Sequence, residues 1–299
     1  METSKTGDNT KGSNRGRCGV VMLCHGSRRG ASRDECSCSW AARCGEWPKW
    51  CRNCPSTPKG LAEASERLQS VLGKARAEVL LSCLEFIEPH PDQAVEIMAG
   101  KGLNEVVIMP YLLGHGKHAT DELEEVLDEI KRRTPQVKPR LAAGFGADRR
   151  LAGLVVDRVR ALDGTPGLAP SHEQTIGVLI VKAGTRTQYD DCAWLRELGR
   201  MVERQLGPGY AVDIAQSHYG DPTMEYASAR LVEERGVSTL VCVPYLFFPG
   251  MILRRNVLGG MTAAQEKYPH IPMHVAPPLG VDDRLVAVAA DRIREVWDW

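Results

Sequence analysis

The sequence has no excess of charge of either sign. It contains 38 Lys and Arg residues and 38 Asp and Glu residues, so its formal net charge at pH 7 is zero with neutral histidines. A chain without net positive charge has no overall field that attracts nucleic acid or an anionic membrane. We therefore expect neither as a partner, and any anionic ligand must be held by a local group of basic residues.

Long apolar runs and a targeting segment are also lacking. The apolar stretches at 20–24, 106–111 and 240–248 are far shorter than the roughly 20 residues that a membrane-spanning helix needs. Residues 1–17 are rich in Ser, Thr, Lys, Asn and Gly, a composition typical of a disordered tail rather than of a secretory signal or an anchor. The sequence thus predicts a cytoplasmic protein.

Ten cysteines are present, but a chain of 299 residues is not the small secreted kind of protein that disulfides usually stabilise. Half of the cysteines lie in or near apolar segments, and we expect them to be small buried residues. They are Cys18, Cys24, Cys83, Cys192 and Cys242.

Short β-branched runs alternate with amphipathic stretches, a pattern that predicts an α/β fold of βαβ units around parallel sheets. At 299 residues the chain is long enough for two domains. We expect domains at 18–162 and 176–299, joined by a Pro- and Gly-rich linker at 163–175. The predicted strands are 19–24, 78–86, 105–113, 137–143, 176–181, 210–215, 239–248 and 274–276. One predicted helix begins near residue 60. The other predicted helices span 93–99, 121–133, 151–162, about 195–202, 225–235 and 284–297.

Two motifs occur once in each half, and only the first copy contains histidines. The first half has Gly19-Val-Val-Met-Leu-Cys-His-Gly-Ser-Arg28 and Pro110-Tyr-Leu-Leu-Gly-His-Gly-Lys-His118. The second half has Gly177-Val-Leu-Ile-Val-Lys-Ala-Gly-Thr-Arg186 and Pro244-Tyr-Leu-Phe-Phe-Pro-Gly-Met-Ile252. In this alignment Ala183 replaces His25, and Ile252 replaces His118. The duplication therefore predicts a single metal or proton-transfer site, in the first half.

His25 and His118 each follow a predicted strand, so both are expected at the carboxyl edge of one sheet, where open α/β folds bind ligands. Neutral imidazoles suit Fe²⁺, Co²⁺, Ni²⁺ and Zn²⁺. Glu85, at the end of the second strand, can complete the set as a ligand or general base, and the second half has His218 at that position. Taken singly, each histidine can instead be an ordinary loop residue, and Glu85 a capping or ion-pairing residue.

The ordered motifs His25-Gly-Ser-Arg28, Leu84-Glu-Phe-Ile-Glu-Pro89 and Pro110 to His118 resemble the class II tetrapyrrole chelatases. The likeness is greatest to the two-domain sirohydrochlorin cobaltochelatases and ferrochelatases, and it covers about residues 18–297. It implies two tandem chelatase-like domains, each a small parallel sheet flanked by helices, with the macrocycle in the cleft between them. By the same resemblance His25 and His118 are metal-binding and catalytic, and Glu85 is the acidic residue of the second motif.

That resemblance implies insertion of Co²⁺ or Fe²⁺, with Ni²⁺ also possible, into sirohydrochlorin for cobalamin or siroheme synthesis. The metal is then a substrate, and no organic cofactor is expected. Residues at the motif edges are expected to bind the substrate, since it carries many carboxylates. They are Ser27, Arg28, Lys117, Arg186, Arg254 and Arg255. A monomer is expected because the second domain closes the cleft, and the alternative function is a non-catalytic metal or tetrapyrrole carrier.

Residues 34–58 interrupt the first half and contain Cys36, Cys38, Cys44, Cys51 and Cys54. The repeat shows that this segment is an insertion, because the two aligned motifs are about two dozen residues farther apart in the first half than in the second. Thiolates suit zinc or an iron–sulfur cluster, but only Cys51 and Cys54 have a familiar ligand spacing. We interpret the segment as a passive insertion or as translated non-coding sequence, with a metal site as the alternative.

Overall fold

The computed structural model of the protein describes residues 16–26, 57–85, 88–114, 121–165, 168, 174–184 and 192–297. These residues form two four-stranded parallel sheets, with strand orders β2-β1-β3-β4 and β6-β5-β7-β8. The strands of the first sheet are β1 Cys18–Cys24, β2 Ala77–Cys83, β3 Glu105–Pro110 and β4 Lys138–Leu141. Those of the second are β5 Ile176–Lys182, β6 Tyr210–Gln216, β7 Thr239–Tyr245 and β8 Met273–Val275. The α/β class predicted from the sequence is confirmed.

Helices follow the strands in both halves. In the first half they are α1 Thr57–Leu72, α2 Pro91–Gly100, α3 Asp121–Arg133 and α4 Arg149–Arg160. In the second half they are α5 Ala193–Leu206, α6 Met224–Ala229, α7 Leu258–Lys267 and α8 Asp283–Val296. Single π-helical segments, Arg230–Glu234 and Ile252–Val257, continue α6 and precede α7. No helix in the described part of the chain is both long and apolar enough to cross a membrane.

The periodicity of the sequence predicted the positions of these elements more accurately than the residues at which they begin and end. Strands β2 and β3 stop at Cys83 and Pro110, earlier than predicted. Helix α7 was missed, because Gly259 and Gly260 in its first turn lower helix propensity and hide its pattern. Helix α1 includes residues 57 and 58, which the sequence analysis assigns to the insertion.

A core shared by both halves lies between the two sheets. In β1, Val20, Met22 and Cys24 face this central core, whereas Val21 and Leu23 face an outer core beside α2 and α3. The alternation follows from the two-residue period of a strand. The five apolar-segment cysteines are all buried, as predicted.

The closing helix of each half packs against the other half. Helix α4 lies against α5 and β7 of the second half, and α8 lies against α1 and β3 of the first. Two equivalent ion pairs join these helices: Arg150 Nη1 lies 2.6 Å from Asp291 Oδ2, and Arg284 Nη1 lies 2.6 Å from Asp157 Oδ2. Because each pair is the repeat of the other, the halves are related by an approximate two-fold axis, as subunits of a symmetric dimer would be.

Aromatic residues bring the carboxyl edges of the two sheets together. Tyr111, which follows β3, stacks on Phe247, which follows β7, with ring centroids 5.0 Å apart and planes 15° apart. Phe145 packs edge-on against Tyr111 at 5.0 Å. All strands in a parallel sheet end at the same edge, so these contacts place both carboxyl edges at one end of the molecule.

Candidate functional site

His25 and Glu85 are neighbours at the carboxyl edge of the first sheet. Cys24 of β1 is in register with Cys83 of β2. The pairing continues beyond the strands, because Leu84 N donates to Cys24 O at 2.8 Å and Glu85 N donates to His25 O at 3.0 Å. Both His25 and Glu85 are exposed. The backbone thus holds the residues His25 and Glu85 next to each other, at the edge where the sequence analysis predicts them.

Gly26 makes this arrangement possible. Its φ is +93°, in the left-handed region that glycine tolerates, and a Cβ there would lie 1.9 Å from Glu85 O. His25 Nδ1 lies 3.3 Å from Gly26 O. The chain therefore turns directly after His25 and stays against the end of β2, and no other residue type allows that approach.

The Cys24 and Cys83 thiols lie directly beneath this edge. Burial, and after it the neighbouring Cys83 thiol, holds the pKa of Cys24 well above its ordinary value. Burial alone raises the pKa of Cys83 to about 11. Both thiols are therefore protonated at neutral pH, and since a metal ligand or nucleophile must be a thiolate, they act as packing groups.

The structure brings part of the predicted site together. Strand β3, which leads to His118, lies on the side of β1 opposite to β2, and Tyr111 N donates to Leu23 O at 2.8 Å. Several of the other predicted site residues lie outside the described residues. They are Ser27, Arg28, Lys117, His118 and Arg186, together with most of the Cys-rich insertion. Within the described ranges, no group of three or more His, Cys, Asp or Glu side chains is arranged to hold a metal ion.

The second half repeats this backbone but has no histidine at the position of His25. Ser217 N donates to Lys182 O at 2.8 Å, the counterpart of the bond from Leu84 to Cys24. Gly184 takes the place of Gly26, and a Cβ on it would lie 1.3 Å from His218 O. Ala183 stands where His25 stands, and Ile252 begins a π-helical segment. The second copy therefore keeps the turn and lacks the two aligned histidines.

Arg254 and Arg255, which the sequence analysis predicts to bind the substrate, lie on that π-helical segment. Arg254 is partly buried, and its Nε is buried with no hydrogen-bond partner among the described residues, whereas Arg255 is exposed. Both follow the loop that carries Phe247, which is the loop stacked on the first half. Their position next to the junction of the two edges is consistent with contact to a ligand held there.

Sequence reasoning missed two features of this end of the molecule. One is the aromatic contact of Tyr111, Phe145 and Phe247. No local sequence pattern predicts it, because the rings come from three segments that are distant in the chain. The other is Lys182, a buried lysine at the end of β5. Its signal in the sequence was a single cation ending an otherwise apolar strand.

Comparison with known proteins defines the class of protein. The profile of the CbiX family matches residues 56–162 and 177–296, one match in each half. The chain therefore belongs to the CbiX family, which confirms the resemblance drawn from the motifs.

Individual relatives agree with this assignment. The chain is 24% identical to the sirohydrochlorin ferrochelatase of Priestia megaterium over 172 residues, or 57% of this chain and 60% of that protein. It is 22% identical to the sirohydrochlorin cobaltochelatase of the same organism over 215 residues, or 71% of this chain and 67% of that protein. The match to the first of these relatives thus spans less than two thirds of its length.

A solved structure shows the same fold. SirB from Bacillus subtilis, in a structure with Fe³⁺, superposes with a TM-score of 0.67 at 19% identity. The match covers 93% of this chain and 95% of that chain. The tandem arrangement of two helix-flanked parallel sheets is therefore shared with a chelatase structure along nearly the whole chain.

Proposed function

We propose that the protein is a sirohydrochlorin chelatase that inserts Co²⁺ or Fe²⁺ into the tetrapyrrole. The observation that carries the proposal is that the Gly26 turn holds His25 against Glu85, at positions where the second half has Ala183 and His218, in a chain of the CbiX family. The relatives named ferrochelatase and cobaltochelatase take iron or cobalt as substrate. The metal is likewise a substrate in our proposal, and Ni²⁺ is a further acceptable ion because it takes the same ligands.

His25 and His118 are proposed to hold the incoming metal. Metallation removes two pyrrole protons from the ring while the metal enters, so the site needs loosely held metal and a nearby base. A neutral imidazole supplies the first, because it binds a divalent ion without adding charge. Glu85 is proposed as the base or as a further ligand, since its backbone is bonded to that of His25.

The basic residues are proposed to hold the carboxylates of the substrate. On the first half these are Arg28 and Lys117 with the Ser27 hydroxyl, and on the second half Arg186, Arg254 and Arg255. The second half then serves as the wall of the cleft. The stacked contact between Tyr111 and Phe247 supports this division, because it brings the two carboxyl edges next to each other.

The chain is proposed to work as a monomer in the cytoplasm, without nucleic acid or membrane. The exchange of α4 and α8 supports the monomer, because the two halves already form the two-fold contact that separate subunits would make. Sedimentation of the purified protein tests this point, and a stable dimer would contradict it.

Absorbance spectroscopy tests the function. The purified protein is mixed anaerobically with sirohydrochlorin and Co²⁺, Fe²⁺ or Ni²⁺, and the change in the macrocycle's absorbance is followed against a protein-free control. We expect acceleration with at least one ion and its loss in the His25→Ala variant. Rates equal to the uncatalysed rate with all three ions would reject the enzyme and favour a carrier.

A further inference from the structure

The carboxyl edge of the second half contains a buried cation. Lys182 ends β5 with 3% of its surface exposed, although lysine is among the residue types least often buried. Its Nζ donates to Gln216 Oε1 at 3.0 Å and to Ala183 O at 3.1 Å. Gln216 Nε2 in turn donates to Asp221 O at 2.8 Å, which orients the amide. The ammonium group is thus fixed in place, and two neutral oxygen atoms are among its partners.

The first half has an uncharged pair at the same place. Lys182 is in register with Gln216 on β6, as Cys24 is with Cys83 on β2. Small thiols satisfy the packing there, so the fold does not require a charged residue at this position. Taking an ammonium group out of water is unfavourable, and its presence in the half without the ligand histidines calls for a role other than packing.

His218 lies within the field of this cation. Burial first, and the charge of Lys182 second, lower the pKa of His218. Its Nδ1 lies 2.7 Å from Ser217 Oγ. When the Ser217 hydroxyl donates to Nδ1, the neutral ring carries its proton on Nε2 and keeps one N–H for a ligand. A nearby cation disfavours a metal ion at this imidazole and favours an anion.

Tyr219 marks the same loop as unusual. Its φ is +47°, which is rare for a residue other than glycine, and 49% of it is exposed. Its ring centroid lies 4.7 Å from that of His218. Residues held in sparsely populated backbone conformations are concentrated at ligand-binding sites. The loop also packs tightly on Gly184, so its geometry is well determined.

We propose that His218, supported by Lys182 and flanked by Tyr219, binds a carboxylate group of the anionic tetrapyrrole at the carboxyl edge of the second half. This inference rests on the proposed function and adds a binding residue to it. His218 stands where Glu85 stands in the first half. At the first edge, Glu85 offers a carboxylate to the metal cation. At the second edge, His218 offers an N–H group, next to the Lys182 ammonium group, to the carboxylates of the macrocycle.

Porphyrin binding tests the proposal without metal insertion. The probes are metal-free uroporphyrin, which has eight carboxylates, and coproporphyrin, which has four, titrated into the full-length protein by absorbance and fluorescence quenching. Loss of a hydrogen bond to a charged group predicts about tenfold weaker uroporphyrin binding by H218A. H218Q, which keeps an N–H donor, should recover most of the affinity. The matched control is H270A, which removes an exposed histidine from the same half.

The remaining comparisons make the result decisive. Uroporphyrin should lose more affinity than coproporphyrin in H218A, and K182M should weaken uroporphyrin binding as well. If K182M proves unfolded by circular dichroism, H218A and H218Q decide alone. Unchanged affinity of H218A for both porphyrins, or equal losses in H218A and H270A, would overturn the proposal.

Failure of the proposed function gives a different result. A wild-type protein that binds uroporphyrin through His218 but inserts no metal into sirohydrochlorin would reject the chelatase and support the anion site. A protein that inserts metal with the same KM for sirohydrochlorin in wild type and H218A would support the chelatase and reject the anion site.

Discussion

The two carboxyl edges of this molecule share a backbone and differ in chemistry. Both have a strand, a glycine packed on a neighbouring carbonyl, and a partner strand bonded beyond its end. The first edge then carries His25, Glu85 and buried thiols, whereas the second carries Ala183, His218 and a buried lysine. A duplicated scaffold can therefore keep its turns, which sterics require, while its side chains take different roles.

The strongest way to break the comparison is to remove His25, whose counterpart at the second edge is Ala183. His25→Ala should lower the metallation rate about 100-fold or more, because loss of a metal ligand or base typically costs that much. The melting temperature should not change, since His25 is exposed. Metallation kinetics and thermal denaturation measure the two effects. Ala183→Ser, at the equivalent position, is the matched control, and equal losses in both variants would contradict a single site.

The glycine pair separates folding from function. Gly26→Ala and Gly184→Ala should each destabilise the protein by about 2 kcal/mol, because each added Cβ meets a backbone carbonyl. At temperatures where both variants are folded, only Gly26→Ala should also lower kcat for metallation, since it alone displaces His25 and Glu85, whereas Gly184→Ala displaces His218 and should instead raise the KM for sirohydrochlorin. Urea denaturation with activity assays on the same samples checks this. An equally active Gly26→Ala protein would show that the turn does not position the site.

The exchanged helices offer a test in which the two halves should respond alike. Arg150→Met and Arg284→Met each remove one of the two equivalent interhelix ion pairs, together with the bonds of that arginine to Asp148 or Asp282. Each should cost about 1 kcal/mol in the free energy of unfolding, because the groups are partly exposed. Metallation should be unaffected. Urea denaturation measures both variants. If only one of them is destabilised, the two ion pairs contribute unequally to the free energy of unfolding despite their symmetric geometry.

Acid pH should reveal the smallest effect. Hydrogen bonds from Arg150 hold the pKa values of Asp148 and Asp291 below their ordinary values. Stability from a lowered carboxyl pKa is complete above the unfolded value of about 4 and is lost as pH falls through the native value. Asp148→Asn should therefore show a smaller fall in melting temperature below pH about 4 than the wild type.

The control for this last test is Asp128→Asn, which affects an exposed pair with Lys131 within one helix. It should keep the wild-type decrease in melting temperature at acid pH. The same shallow decrease in both variants would assign the effect to general loss of charge rather than to the bonds from Arg150.

Much of the fold was predictable because strand and helix periods are local. The alternation of apolar runs predicted β1 and β5, and the order of the motifs predicted the family and the neighbouring positions of His25 and Glu85. Strand ends were less predictable, since the stop at Pro110 depends on pairing with a short neighbouring strand. Helix α7 was missed because its packing, rather than its propensity, makes it helical.

By itself, the sequence determined the family, the duplication and which half keeps the motif histidines, since these depend on residue identity at aligned positions. Only the tertiary structure decided that α4 and α8 pack on opposite halves and that Phe247 stacks on Tyr111. It also decided that Lys182 is buried beside His218. These contacts join segments that are far apart along the chain, and burial and electrostatic fields depend on everything packed around a group rather than on its neighbours in sequence.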